Sequence, residues 1–183
     1  MGSLTLVTGG ARSGKSTFAE LQAKKYANVA YLATSIAFDE GMVHRIKKHR
    51  EQRPKEWATI EAYKDFLPIR DDREFRRAEL ILVDCLTVMI TNHMIESGID
   101  FEACTPEEVD ELEADIKKEV EDLLDIAKDK EMIIVTNELG MGIVPAYKMG
   151  NYFRDIAGRM NQYVASRADH VYFVVSGIEM KIK

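Results

Sequence analysis

Gly9-Gly10-Ala11-Arg12-Ser13-Gly14-Lys15-Ser16 matches the pattern G-x-x-x-x-G-K-[ST], in which each residue type has a chemical reason. The glycines let backbone N–H groups turn inward around phosphate oxygens, and the N-terminus of a following helix adds a favourable dipole. The Lys15 ammonium reaches the β and γ phosphates of a nucleoside triphosphate, and the Ser16 hydroxyl suits Mg²⁺. Such a site needs a second anchor for Mg²⁺, an acid at the end of another buried strand. Leu80-Ile81-Leu82-Val83-Asp84 supplies it. Alone, Asp84 is an ordinary strand-ending residue; its weight comes from the pairing with Ser16. Hydrolysis, kinase transfer and nucleotide-driven motion all begin with these parts, so the motif does not choose among them.

Stepping from these residues to what must hold them, five short apolar runs read as buried strands: Leu4 to Thr8, Val29 to Ala33, Leu80 to Val83, Met132 to Thr136 and Val171 to Val175. A strand covered on both faces is apolar throughout rather than alternating. Helical patterns separate them. One runs from Ser16 to Tyr26, directly after the Gly-rich segment, and another from Phe153 to Gln162 presents Arg154, Arg159 and Gln162. The clearest spans Pro106 to Lys130, with Thr105 as N-cap, Pro106 at the first helical position and Glu108 placed to close a capping box. Alternating strand and helix predicts an α/β fold of the P-loop NTPase kind, a mostly parallel sheet with helices on both faces. The whole of 1–183 reads as a single nucleotide-binding domain, with a helical insertion at about 36–77 that carries a helix near Glu40 to Glu51.

The formal net charge of −6 over 183 residues argues against a chain that grips nucleic acid through bulk charge. Cys85 and Cys104 lack the paired spacing of a zinc or redox motif. With no signal-peptide pattern and no long apolar run, the sequence predicts a cytoplasmic protein without a membrane span.

Beyond the P-loop, further stretches occur in order: Tyr31-Leu32-Ala33-Thr34; Arg45-Ile46, His49-Arg50, Arg53-Pro54, Trp57 and Glu61; Val83-Asp84-Cys85-Leu86-Thr87; Val135-Thr136-Asn137-Glu138 with Gly140 and Gly142-Ile143-Val144-Pro145; Phe153-Arg154-Asp155 with Gly158-Arg159 and Asn161-Gln162; and Val175-Ser176-Gly177. Together with Leu6 to Ser16 they resemble the bifunctional adenosylcobinamide kinase/adenosylcobinamide-phosphate guanylyltransferases of cobalamin biosynthesis, over nearly the whole chain. The resemblance implies two reactions on a corrinoid. Adenosylcobinamide is phosphorylated on its aminopropanol arm with ATP or GTP, and GMP then passes from GTP to adenosylcobinamide phosphate through a guanylylated histidine. It also implies a homo-oligomer, a trimer.

By the same match His49 is the guanylylated residue, with Lys15 the other catalytic group. Arg50, Glu51, Gln52 and Arg53 surround the nucleotide, Thr34, Ser35 and Ile36 line its pocket, and Glu61 contacts guanine or ribose. Ser16 and Asp84 hold Mg²⁺. Without the resemblance, His49 reads as a solvated side chain among basic residues, and Glu61 reads equally as an exposed loop residue or as a contact to guanine or ribose. His44, five residues before His49, is a minor alternative, since that spacing does not share a helix turn. Asn137 to Gly142 reads either as a strand-to-helix turn or as a substrate loop. Tyr147, Met149, Tyr152 and Phe153 read as core or subunit-interface residues. Two other functions stay open from the residues alone: a monofunctional small-molecule kinase and a nucleotide-gated switch.

Overall fold

A computed structural model describes residues 2–35 and 53–183. The helix expected near Glu40 to Glu51 lies outside the described residues. Seven strands form one sheet in the order β3-β2-β4-β5-β1-β6-β7: β1 Leu4–Gly9, β2 Val29–Ala33, β3 Ala58–Glu61, β4 Leu80–Asp84, β5 Glu131–Asn137, β6 His170–Val175 and β7 Ile178–Lys181. All neighbours are parallel except β6 and β7, which form an antiparallel hairpin. The helices are α1 Lys15–Ala23, α2 Arg73–Arg77, α3 Leu86–Glu96, α4 Pro106–Ile126 and α5 Lys148–Arg167, with a 3-10 turn at Leu67–Asp71.

Strand residues alternate between two cores, which is why the central strands are apolar at every position. Val7, Tyr31, Leu80, Leu82, Ile133 and Val135 face α1, where Phe18, Ala19 and Ala23 meet them. Leu6, Ala30, Leu32, Ile81, Val83 and Ile134 face the other way, under Met89 and Ile90 of α3, Ile116 and Val120 of α4, and Ile156 and Met160 of α5. The expected capping box of α4 is complete: Thr105 Oγ1 accepts from Glu108 N, and Glu108 Oε2 accepts from Thr105 N at 2.8 Å. Its apolar stripe, Val109, Leu112, Ile116, Val120 and Leu123, is buried. The helix ends at Ile126, short of the expected Lys130, and α5 is twice as long as Phe153 to Gln162 suggested.

Part of the span read as a helical insertion joins the sheet instead. β3 pairs with β2, setting Ala33 against Glu61, and Phe66 and Phe75 of the following turn and helix are buried in the larger core. Among the described residues, no helix is long and apolar enough to cross a membrane.

Candidate active site

The carboxyl edge of the sheet gathers the candidate residues. β1 ends at Gly9, in register with Asn137 at the end of β5, while β4 ends at Asp84 beside Ala33 of β2. Between Gly9 and α1 the loop closes on itself through Ser13 N to Gly10 O at 3.2 Å and enters the helix through Phe18 N to Gly14 O at 2.9 Å. Arg12 has φ 58° and Gly14 φ 96°, the left-handed turns that direct successive N–H groups inward. A side chain at Gly14 would be strained on both counts, since a Cβ there would sit 3.1 Å from Gly177 Cα. Two segments outside the loop pin it: Glu138 N, just after β5, donates to Gly9 O at 2.9 Å, and Gly177 N, in the β6–β7 turn, donates to Ser13 O at 2.8 Å.

Lys15 is 8% exposed, and its ammonium donates to Gly10 O at 2.8 Å, across the loop. Ser13 Oγ is buried with no hydrogen-bond partner among the described residues. A buried hydroxyl without an acceptor, in a loop whose left-handed residues present backbone N–H groups, is the kind of unsatisfied donor that an anion satisfies.

Asp84 belongs to the face that carries α1, because it continues the alternation of Leu80 and Leu82. Its Oδ2 accepts from the Tyr31 hydroxyl at 2.8 Å, and the Arg53 guanidinium lies over the Tyr31 ring, 3.4 Å from its centroid. Burial first, then the Asp84 charge, raise the Tyr31 phenol well above its ordinary value, so it remains a donor that orients the carboxylate. Glu20 completes this group. It stands one turn after Ser16 on α1, and its carboxyl is raised from its ordinary value by burial and then by Asp84, with Arg53 and Lys24 opposing. Sequence reasoning missed Glu20 and Tyr31, although the i, i+4 spacing of Ser16 and Glu20 was a readable sign. For Mg²⁺ the donor set fits: a hydroxyl at the helix start and an oriented carboxylate are oxygen ligands of the kind the ion takes alongside phosphates and water.

The other expected pocket residues are distributed differently. Thr34 is 1% exposed, and its hydroxyl accepts from Cys85 N at 2.9 Å and donates to Cys85 O at 2.8 Å. Its carbonyl accepts from Asn92 Nδ2 at 2.7 Å. Thr34 therefore ties the end of β2 to the β4–α3 junction, and its one O–H donor is engaged within the fold. Ser35 follows, half-buried. Glu61 is exposed at the end of the outermost strand, four strand spacings from β1, or about 19 Å. Ile36, His44, His49, Arg50, Glu51 and Gln52 lie outside the described residues.

Asn137 Nδ2 donates to Thr87 Oγ1 at 2.7 Å, and Asn161 of α5 bridges Thr136 Oγ1 and Asn137 O at 2.7 and 3.0 Å. The loop after β5 then leaves the site, exposing Met141, Ile143 and Val144. Tyr147 is exposed too, whereas Met149, Tyr152 and Phe153 pack against the core.

Residues 5–182 match the family model described as cobinamide kinase / cobinamide phosphate guanyltransferase. The chain belongs to this family. It is 41% identical to the bifunctional adenosylcobalamin biosynthesis protein CobU of Escherichia coli, over 98% of this chain and 99% of that one. The counterpart from Salmonella typhimurium is likewise 41% identical over the same shares. The bifunctional adenosylcobalamin biosynthesis protein CobP of Pseudomonas aeruginosa is 36% identical over 97% of this chain and 96% of its own. Among solved structures, an ATPase from the type III secretion system of pathogenic bacteria covers 99% of this chain with a TM-score of 0.51 at 12% identity. This chain spans 58% of that one, and the likeness shows a shared P-loop fold.

Proposed function

We infer that this protein is a bifunctional corrinoid-modifying enzyme: a kinase for adenosylcobinamide and a guanylyltransferase for the phosphate it makes, yielding adenosylcobinamide-GDP. The observation that carries this reading is a family match over 5–182 on a chain whose Gly9–Ser16 loop is built at the carboxyl edge of the sheet. ATP or GTP serves the first transfer and GTP the second.

The loop N–H groups and Lys15 hold the phosphates and offset charge as it shifts toward the leaving group. Ser16 and Asp84 would hold Mg²⁺, which when bound draws charge from the phosphate oxygens. Tyr31 keeps Asp84 oriented. In the guanylyl step a neutral His49 nitrogen attacks the α phosphorus, forming a P–N bond as pyrophosphate leaves with the electron pair of the broken P–O bond. An oxygen of the corrinoid phosphate then attacks the same phosphorus, the P–N bond breaks, and the imidazole is restored. Arg53 and Arg50 neutralise the oxygens of that phosphorus. Support for His49 comes from covalent reach: it lies four residues from Arg53, no more than about 14 Å along an extended chain. Arg53 itself stacks on the tyrosine that binds Asp84. Glu61 is the residue proposed to meet guanine or ribose.

Incubation with α-labelled GTP followed by denaturation tests the covalent step. An acid-labile, base-stable label is expected on wild type and absent from His49→Ala, which keeps its kinase activity. An unlabelled wild type that still phosphorylates adenosylcobinamide would leave a monofunctional kinase. We further propose a homotrimer, for which the exposed Met141, Ile143, Val144 and Tyr147 offer apolar contact surface; sedimentation as a monomer at assay concentration would refute it.

A further inference from the structure

Of the three polar side chains the sequence places on α5, two have plain positions in the fold. Arg159 makes a two-pronged ion pair with Glu113, at 2.5 and 2.6 Å, and Gln162 is exposed. Arg154 differs. It is half-buried, and its Nη1 is fully covered with no hydrogen-bond partner among the described residues. A covered guanidinium N–H without an acceptor is costly, and such an orphan calls for a ligand.

Its place in the helix says where that ligand sits. Gly150, Arg154, Ala157 and Asn161 recur at three- and four-residue spacing, so they share one face of α5. Gly150 and Ala157 are buried there, and Asn161 binds the end of β5. The helix starts at the carboxyl edge of the sheet, after the loop from β5, and ends at Arg167, two residues before β6. At about 1.5 Å per residue, Arg154 stands about 10 Å beyond the level of Asn161, and its side chain leans further toward the helix start. It therefore stands on the turn of α5 that lies beyond the carboxyl end of β5, whose last residue, Asn137, is in register with Gly9 one strand across. It comes from the core face of α3, α4 and α5, while the P-loop leads into α1 on the opposite face.

We propose that Arg154 is the second anion-binding residue of the active site, holding the transferred phosphoryl group on the side of its corrinoid acceptor. This rests on the two-step reading above. In the kinase step a bond forms between the acceptor hydroxyl oxygen and the γ phosphorus. The bond from that phosphorus to its bridging oxygen breaks, the nucleoside diphosphate leaves with the electron pair, and the hydroxyl proton passes to solvent. The guanidinium fork binds two non-bridging oxygens of the moving group, which a lysine ammonium cannot match in geometry. Once transferred, the same group is the phosphate monoester that accepts GMP, and Arg154 still holds it. Guanylylation of the enzyme breaks the bond at the α phosphorus and moves no phosphoryl group to the corrinoid, so it draws on Arg154 far less than either transfer to the corrinoid does.

Arg154→Gln and Arg154→Lys in the full chain test this. Kinase turnover is expected to fall about 10²-fold, the scale for losing one charge-stabilising donor. KM for adenosylcobinamide phosphate in GMP transfer rises about tenfold, and lysine recovers part of the KM but little of the turnover. Labelling of the enzyme by α-labelled GTP stays within about twofold of wild type. Unchanged kinase turnover and KM in both variants would overturn the proposal. So would an equal loss of enzyme labelling, which puts Arg154 on the nucleotide, or a lowered melting midpoint with transfer constants unchanged below it, which makes it a packing residue. A wild type inert toward adenosylcobinamide sinks the two-step reading instead, whatever the variants do.

Discussion

Thr34→Val separates two roles for one side chain. The hydroxyl of Thr34 exchanges two hydrogen bonds with the peptide groups of Cys85 and is 1% exposed. Valine has nearly the same shape, so the substitution opens no cavity; it leaves the buried Cys85 N–H without a partner, while Cys85 O keeps the bond it accepts from Met89 N at 3.2 Å. The orphaned N–H costs about 1–3 kcal/mol and the lost second bond to Cys85 O about 0.5–1.5 kcal/mol, and the added methyl recovers about 0.8 kcal/mol, which places the loss near 2 kcal/mol. For a chain of 183 residues the melting midpoint falls by about 4–8 °C. Because Cys85 directly follows Asp84, the disturbance reaches the proposed Mg²⁺ ligand, and half-maximal activity requires more Mg²⁺ in both transfers. Thr34→Ser keeps the hydroxyl and loses about 1 kcal/mol or less. Urea unfolding, with a Mg²⁺ titration of kinase rate, reads both effects. A Thr34→Val protein within about 0.5 kcal/mol of wild type but with a raised KM for GTP would refute the reasoning and make Thr34 a direct nucleotide ligand.

Lys15→Ala is expected to lower both transfers together by about 10²–10³-fold, measured by parallel kinase and GMP-transfer assays; a loss confined to one would mean two separate triphosphate sites. Burial, then the Asp84 charge, push the Cys85 thiol up to about 11, so at pH 8 only about 0.1% would be thiolate. Native protein therefore exposes the half-buried Cys104 to a thiol reagent while Cys85 reacts only after denaturation; equal native rates would refute the assignment. The sign for stability follows from the unfolded thiol releasing its proton first: the contribution is whole below pH 9 and is lost as pH rises to about 11. A Cys85→Ala protein lacks that part of the alkaline slope in urea unfolding.

What was legible in the sequence were features written in adjacent residues. The phosphate loop carries its own strand and helix, and the Thr105–Glu108 capping box lies within four residues, so both could be read directly. Helix α3 escaped notice because Leu86, Thr87, Val88, Ile90, Thr91 and Ile95 give it a β-branched, apolar composition like that of a strand. Only its burial against β5, α4 and α5 makes it a helix. β3 is four residues long, too short for a two-residue alternation to stand out. The hairpin β6–β7 is signalled by Ser176-Gly177, whose φ angles of 52° and 82° suit a two-residue turn, although the polar and apolar residues of Ile178–Lys181 do not by themselves mark a strand. At the site, the G-K-S and Asp84 positions were readable, but their supports were not. Tyr31 to Asp84, Thr34 to Cys85 and Asn161 to Asn137 join residues 24 to 53 positions apart, and nothing local to either partner announces such a bond.

The bond from Gly177 N to Ser13 O bears on how the chain is synthesised. β1 and its loop leave the ribosome before the other strands, but the strands that flank β1 are β5 and β6, and the turn that fastens Ser13 follows β6. The phosphate loop, though made before its neighbours, has no finished walls until residue 177 has emerged. A nascent chain stalled before β6 is therefore expected not to retain nucleotide, and the segment of the sheet made first is among the last to become functional.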